Sequence, residues 1–226
     1  MRRLFILRPE PRAGETVSRA RTLGLDAVNM PLFQLEPLPW QAPDAANFDA
    51  LLLTSANAVA QGGEHVADLS QLPVYAVGET TAQAARKAGF DIAGTGERGV
   101  ERLLASIEPD LRLLHLCGEH RRVPNNPRQS IQAIAVYRSA ELPPPEALES
   151  IAGQCAAIHS PRAAERLQAL LNERAVAKAT VRLACISDAA ARAAGEGWEH
   201  KRTADQTTDD ALLALAATLC DKPLHR

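Results

Sequence analysis

One stretch recurs, and the recurrence restricts the fold more than any other feature of the chain. Val74 to Val77 is a short apolar run led in by Pro73 and broken by Gly78, which reads as a buried parallel strand. Glu79, Thr80 and Thr81 then open an alanine-rich helix, with an acid in its first turn and Gly89 as its stop. Cys185-Ile186-Ser187-Asp188-Ala189 repeats this turn, and residues 50–58 line up in the same way with residues 155–163. The offsets agree, about 105 positions from Ser55 to Ser160 and about 109 from Gly78 to Ser187, which marks an internal repeat. A polar turn at the carboxyl end of a strand leaves backbone N–H groups exposed at a helix N-terminus, an arrangement suited to a carboxylate or a phosphate.

Strand and helix patterns alternate around these units. Strands are expected over residues 4–7, 26–30, 48–53, 91–93, 111–116, 156–159 and 181–186. Helices are expected over 15–23, 100–107, 146–151, 163–171 and 208–219. The alternation predicts an α/β fold, two domains with parallel sheets and helices on both faces. Residues 32–38, bracketed by prolines 31, 37 and 39, and residues 131–138 read as the arms of a two-stranded extended linker. The polar turns are expected to face a cleft between the two lobes, beyond the carboxyl ends of the strands.

Charge and composition exclude several partners. A formal net charge of −2 gives no basic field for nucleic acid, so an anionic ligand must be gripped locally. The chain has no apolar run long enough to cross a membrane, and Leu4 to Leu7 is too short for a secretory signal, so a cytoplasmic protein is expected. Cys117, Cys155, Cys185 and Cys220 show no CxxC spacing and suit reduced thiols.

Three chemistries have sequence signals to weigh. Gly94-Thr95-Gly96-Glu97-Arg98-Gly99 matches a dinucleotide fingerprint, with Glu119 about twenty residues on. The strand before it is short and contains Asp91, and its counterpart in the other half, residues 204–210, has no glycine; a plain loop leading into a helix is the better reading. The six histidines are scattered without metal-ligand spacing, so no metal is expected, and His115 reads as a core or solvated histidine. No GxSxG elbow is present. There remain hydroxyls, guanidiniums and backbone amides at strand ends: Arg8, Thr54, Ser55, Thr80, Thr81, Ser160, Arg162 and Ser187, with Tyr137 on an arm. Each serine or threonine would serve equally as a helix N-cap, Arg162 as a solvated residue and Tyr137 as a packed strand aromatic. Together they suit many weak contacts to a large polyanion.

Six short pieces then stand in a telling order: Leu7-Arg8-Pro9, Leu53-Thr54-Ser55-Ala56-Asn57, Val77-Gly78-Glu79-Thr80-Thr81, Ala135-Val136-Tyr137-Arg138, His159-Ser160-Pro161-Arg162 and Thr207-Thr208-Asp209-Asp210. By their order and spacing the chain resembles the uroporphyrinogen-III synthase family over nearly its whole length. The resemblance implies a first domain made of residues 1–30 and 143–226, an inserted domain over 40–130, and linker strands over 31–39 and 131–142. It also implies an enzyme that closes hydroxymethylbilane, a linear tetrapyrrole, to uroporphyrinogen III, losing water and inverting ring D, without cofactor and as a monomer. Tyr137 and Thr81 take the catalytic places, Tyr137 donating to or orienting the departing hydroxyl. Arg8, Thr54, Ser55, Gly78, Thr80, Gly118, Ser160, Arg162 and Ser187 take substrate-binding places. Ala190 stands where the family commonly has threonine, Cys117-Gly118 where many members have Arg-Gly, and Pro124 and Pro127 interrupt the helix beyond. A cytosolic tetrapyrrole-binding relative with reduced or lost activity is the alternative.

Overall fold

The computed structural model describes residues 1–96, 99–121 and 123–221. The elements begin with β1 (Leu4–Ile6), α1 (Arg12–Thr22), β2 (Ala27–Asn29), β3 (Phe33–Pro37), β4 (Ala50–Leu53) and α2 (Ala56–Gln61). There follow β5 (Val74–Val77), α3 (Glu79–Lys87), β6 (Ile92–Gly96), α4 (Val100–Ser106), β7 (Arg112–Gly118) and β8 (Ser130–Glu141). The chain closes with β9 (Cys155–Ile158), α5 (Pro161–Glu173), β10 (Arg182–Cys185), α6 (Asp188–Ala193), β11 (His200–Thr203) and α7 (Asp209–Leu219). They divide into two compact units: a terminal unit, Met1–Gln34 with Ala140–Arg226, and an inserted unit, Leu35–Ser139.

The terminal unit has a five-stranded sheet in the order β11-β10-β9-β1-β2, parallel throughout. Side chains alternate between its faces, as a pleat requires. Phe5, Ile158 and Leu183 pack under Leu167 and Leu170 of α5. Leu4, Ile6 and Ala157 pack under Val17 of α1 and Leu212 and Leu213 of α7. The inserted unit has a six-stranded sheet in the order β3-β8-β7-β4-β5-β6. The pairings β8-β7, β7-β4, β4-β5 and β5-β6 are parallel. Leu51, Leu53, Leu114 and Leu116 face α2 and α3, while Ala50, Leu52 and Leu113 face Leu103 and Leu104 of α4. Leu38 N–H donates to the Val136 carbonyl (2.9 Å) and Leu142 N–H to the Leu32 carbonyl (3.0 Å), so the two arms run antiparallel.

The two sheets share one strand order. Read from β4, the inserted unit runs β6-β5-β4-β7-β8; read from β9, the terminal unit runs β11-β10-β9-β1-β2. The N-terminal strands β1 and β2 therefore stand where β7 and β8 stand in the other unit, a permuted repeat. One helix is not shared. α1 follows β1, whereas residues 119–129 after β7 form no helix among those described. Pro124 and Pro127 remove the amide donors a helix would need there.

Four local expectations need correction. Helix α1 begins at Arg12 rather than Glu15, because Ala13 N–H bonds the Pro9 carbonyl (3.1 Å) and a proline at the cap has no donor to lose. Strand β4 begins at Ala50 rather than Phe48: Asp44 accepts from Ala46 N–H and winds residues 45–47 into a 3₁₀ turn. Residues 148–151 are also a 3₁₀ turn, closed by i−3 bonds such as Leu148 N–H to the Pro145 carbonyl (3.0 Å). Gly94 and Gly96 lie within β6 and not in a loop. A Cβ on Gly94 would come 3.1 Å from the Tyr75 ring, and one on Gly96 2.8 Å from Leu103 Cβ, so these glycines allow close packing. Glu97 and Arg98 of that motif lie outside the described residues.

Candidate functional site

In a doubly wound sheet the crevice opens where the strand order reverses, at the carboxyl ends. That point lies between β4 and β7 in the inserted unit and between β9 and β1 in the terminal unit. In the inserted unit it holds a cavity of about 260 Å³. Thr54 stands at the end of β4, Gly118 at the end of β7, Tyr137 on β8, and His120 and Arg121 just beyond β7; Val77 and Val100 form its apolar wall. His115, 1% exposed, points from β7 and hydrogen-bonds through Nε2 to Thr54 Oγ1 at 3.1 Å. Burial first, and then the charge of Arg121, pushes its pKa from 6.5 down to about 4, so the imidazole is neutral at pH 7. Burial raises the Cys117 thiol, while Arg121, beside it and hydrogen-bonded to it, pulls the other way.

Tyr137 is seated by its neighbour. A Cβ on Gly118 would lie 2.9 Å from Tyr137 Cζ and 3.1 Å from its hydroxyl oxygen. The ring therefore lies on the Gly118 backbone, where only glycine leaves room. The next peptide locks the pair, since Glu119 N–H donates to the Tyr137 carbonyl at 2.8 Å.

The terminal unit fills the equivalent point with its own side chains. Asp209, first residue of α7, accepts at Oδ1 from Arg8 Nη1 (3.2 Å) and pairs there with His159 Nε2 (2.9 Å). Its Oδ2 accepts from Thr16 Oγ1 (2.9 Å) and Arg19 Nη1 (3.1 Å), and Arg19 also reaches Asp210. Burial alone would raise the Asp209 carboxyl, but the bonds from His159 and Thr16 and the Arg8 charge hold it at about 2. Burial lowers His159 against the pull of Asp209, and it likewise lowers Arg8.

The structure brings Thr54, Gly118 and Tyr137 together at one cavity. It gives the other expected positions distinct local duties. Ser55, Ser160 and Ser187 cap α2, α5 and α6, accepting from Asn57, Ala163 and Ala190 N–H respectively. Capping uses an oxygen lone pair and leaves the hydroxyl proton for another partner. Gly78 starts α3 with φ +82°, a conformation costly for any side chain. Thr80 is exposed, whereas Thr81 is 4% exposed on the inner face of α3. Arg8 is engaged by Asp209 and Thr16, and the Arg162 guanidinium lies over the Phe33 ring, 4.7 Å from its centroid. Sequence reasoning missed Arg121 and Val100 and left His115 without a role. The signal for His115 was a lone polar residue in Leu113-Leu114-His115-Leu116. Among the described residues no three His, Cys, Asp or Glu side chains gather as a metal site, and no helix is long and apolar enough to cross a membrane.

A duplicated, doubly wound α/β protein with a cavity at the inserted unit's switch point is the class these features define. The model of the family described as uroporphyrinogen-III synthase HemD matches residues 14–214. The chain belongs to the uroporphyrinogen-III synthase family. A curated uroporphyrinogen-III synthase from Chlorobaculum parvum is 29% identical over 119 residues, covering 48% of this chain and 48% of the relative. The chain thus spans about half the length of that curated relative. The crystal structure of uroporphyrinogen-III synthetase from Helicobacter pylori 26695 is similar with a TM-score of 0.69 at 17% identity, covering 97% of this chain and 100% of that one. A mutant uroporphyrinogen III synthase from the extremely thermophilic bacterium Thermus thermophilus gives 0.56 at 18% identity, covering 98% and 100%. At those identities the likeness establishes the fold.

Proposed function

We propose that this protein cyclises hydroxymethylbilane to uroporphyrinogen III, inverting ring D, and that the inserted unit's cavity holds the reacting end of the substrate. Tyr137, seated on Gly118 beside Thr54, is the observation that carries the reading. Loss of hydroxide from the substrate leaves a stabilised azafulvene cation, so the departure needs only modest acid help, which the phenol O–H supplies. The harder task is geometric: ring D must attack through its substituted α-carbon, in place of the direct closure that gives the other isomer. Holding a flexible polycarboxylate in that pose is a positioning effect. Thr54 and Gly118 serve it at the cavity. Thr80, Thr81, Ser55, Gly78, Arg8, Ser160, Arg162 and Ser187 are proposed as further contacts, Thr81 through local opening of the first turn of α3. We assign the protein to the cytoplasm as a monomer; four free, buried cysteines, with Cys155 and Cys220 in hydrogen-bond contact, support a reducing compartment.

Incubation with enzymatically made hydroxymethylbilane, followed by oxidation and chromatography, is the test. Isomer III is expected; isomer I alone would overturn the reading and leave the inactive tetrapyrrole binder, which family membership does not favour. Tyr137→Phe is expected to slow turnover by about 10- to 100-fold without abolishing it. Complete loss in a folded variant would shift the emphasis from positioning to proton transfer.

A further inference from the structure

The permuted repeat allows the two switch points to be compared residue by residue. Val100 and Asp209 are the first residues of α4 and α7, each followed at the same interval by a buried leucine pair, Leu103-Leu104 and Leu212-Leu213. On the strands, His115 stands opposite Leu52 and Ile6 opposite Ala157. The offset that sets Ser55 against Ser160 also sets Leu52 against Ala157, and so places Cys117 against Arg8. In the terminal unit the guanidinium at position 8 meets the Asp209 carboxylate, with His159 and Thr16 completing its shell. In the inserted unit the guanidinium of Arg121 rests on the Cys117 thiol, with the His115 imidazole and the Thr54 hydroxyl close by. Guanidinium, imidazole and hydroxyl recur; the carboxylate does not. Val100 occupies its place, and no described residue lining the cavity is acidic.

We propose that the inserted unit's cavity is a carboxylate-binding subsite, with Arg121 as counter-charge and Thr54 as a neutral donor, filled by one carboxylate arm of the tetrapyrrole substrate. The proposal rests on the function proposed above for the identity of the arm, but not for the chemistry of the pocket. Asp209 is the internal counterpart of that arm, built into the other unit. Arg121 lines the cavity, and the fork of donors on a guanidinium matches a carboxylate in two parallel hydrogen bonds. The neutral His115 adds no charge; as the Nε2–H tautomer it donates to Thr54 Oγ1 and leaves the hydroxyl proton for an incoming oxygen.

The test uses the full chain. Propionate, with uncharged propionamide as control, is titrated while the backbone amide signals of Thr54 and Gly118 are followed by NMR. Propionate is expected to shift both saturably and propionamide neither, and Arg121→Gln is expected to remove the propionate effect. With hydroxymethylbilane, Arg121→Gln should raise KM by about 10- to 100-fold while kcat changes far less. Val100→Asp, which supplies the missing carboxylate from within, should raise KM well above the uncharged, similarly sized Val100→Asn. Equal effects of Asp and Asn, an unchanged KM in Arg121→Gln, or equal shifts from propionate and propionamide would each overturn the subsite. A wild-type chain that makes isomer III alongside those results leaves the cyclase intact; a chain that makes none but binds propionate through Arg121 keeps the subsite and removes the cyclase.

Discussion

Two copies of one architecture treat the same crevice in opposite ways. The terminal unit places at its switch point a carboxylate shared among Arg8, Thr16, Arg19 and His159. The inserted unit keeps a cavity there and lines it with Thr54, Arg121 and Tyr137. Three local differences account for the contrast. Val100 replaces Asp209, Cys117 replaces Arg8, and the described residues after β7 form no counterpart of the helix that presents Thr16. Duplication lets one copy keep the polar cluster while the other gives it up.

The sharpest way to break this comparison is to remove the carboxylate. Asp209→Ala strands Arg8 and His159 in a largely buried setting and should destabilise the terminal unit by roughly 3 kcal/mol, whereas Val100→Ala should cost the inserted unit about 1–2 kcal/mol. The chain reports on each unit separately, because Trp198 packs in the terminal core and Trp40 in the inserted core. Urea titrations followed by fluorescence in Trp40→Phe and Trp198→Phe backgrounds check both values. Similar losses in the two units would remove the asymmetry.

Acid should then separate them. His115 has a folded pKa of about 4, below its ordinary 6.5, so the folded state takes up its proton later than the unfolded one. Its contribution is present above about pH 6.5 and is lost as pH falls towards 4, by roughly 3 kcal/mol. Asp209, held at about 2 against an ordinary 3.8, contributes above its ordinary value and is lost as pH falls through 2, by roughly 2 kcal/mol. His159, also lowered, adds to the terminal unit's loss below its ordinary value. In His115→Leu the slope of Trp40-monitored stability between about pH 6.5 and 4 should flatten, and in Asp209→Asn the Trp198-monitored slope below about pH 4 should do so.

Smaller effects sharpen the contrast further. Gly118→Ala pushes the Tyr137 ring off its seat and should lower kcat/KM by about 10- to 100-fold, with stability changed by no more than about 1–2 kcal/mol. Steady-state assay and thermal melts of the same sample separate the two. The helix starts at Gly78 and Ser187 offer the mildest comparison. Gly78→Ser forces a side chain onto φ +82° and should cost about 1–2 kcal/mol, while Ser187→Gly gives up a cap for only about 0.3 kcal/mol. Denaturation midpoints in the two tryptophan backgrounds measure both.

The repeat was legible because its elements are local: apolar strands, a polar turn and an alanine-rich helix are each specified within a dozen residues. The strand-end hydroxyls were legible for the same reason, and so was their second identity as caps. Tyr137 could be chosen from its motif, but its seat on Gly118 depends on the register between β7 and β8, which shifts between Cys117 and Gly118. Arg8 looked like a free strand-end cation because its partner Asp209 lies at the far end of the chain, across the permutation. Arg121 was hidden among neighbouring charges, Glu119-His120-Arg121-Arg122, and only the fold sets it over Cys117. Gly94 and Gly96 misled because the tight approach they allow is to Tyr75 and Leu103.

The permuted topology also gives the two units different histories on the ribosome. β1 and β2 emerge first, yet their sheet needs β9, which comes only after the whole inserted unit has been made. The inserted unit takes roughly 5–20 s to translate and needs no later segment for its own β4-β5-β6-β7-β8 sheet. Nascent chains should therefore mature from the middle outwards, with Leu4, Phe5 and Ile6 exposed as an unpaired apolar edge until residues 155–158 arrive.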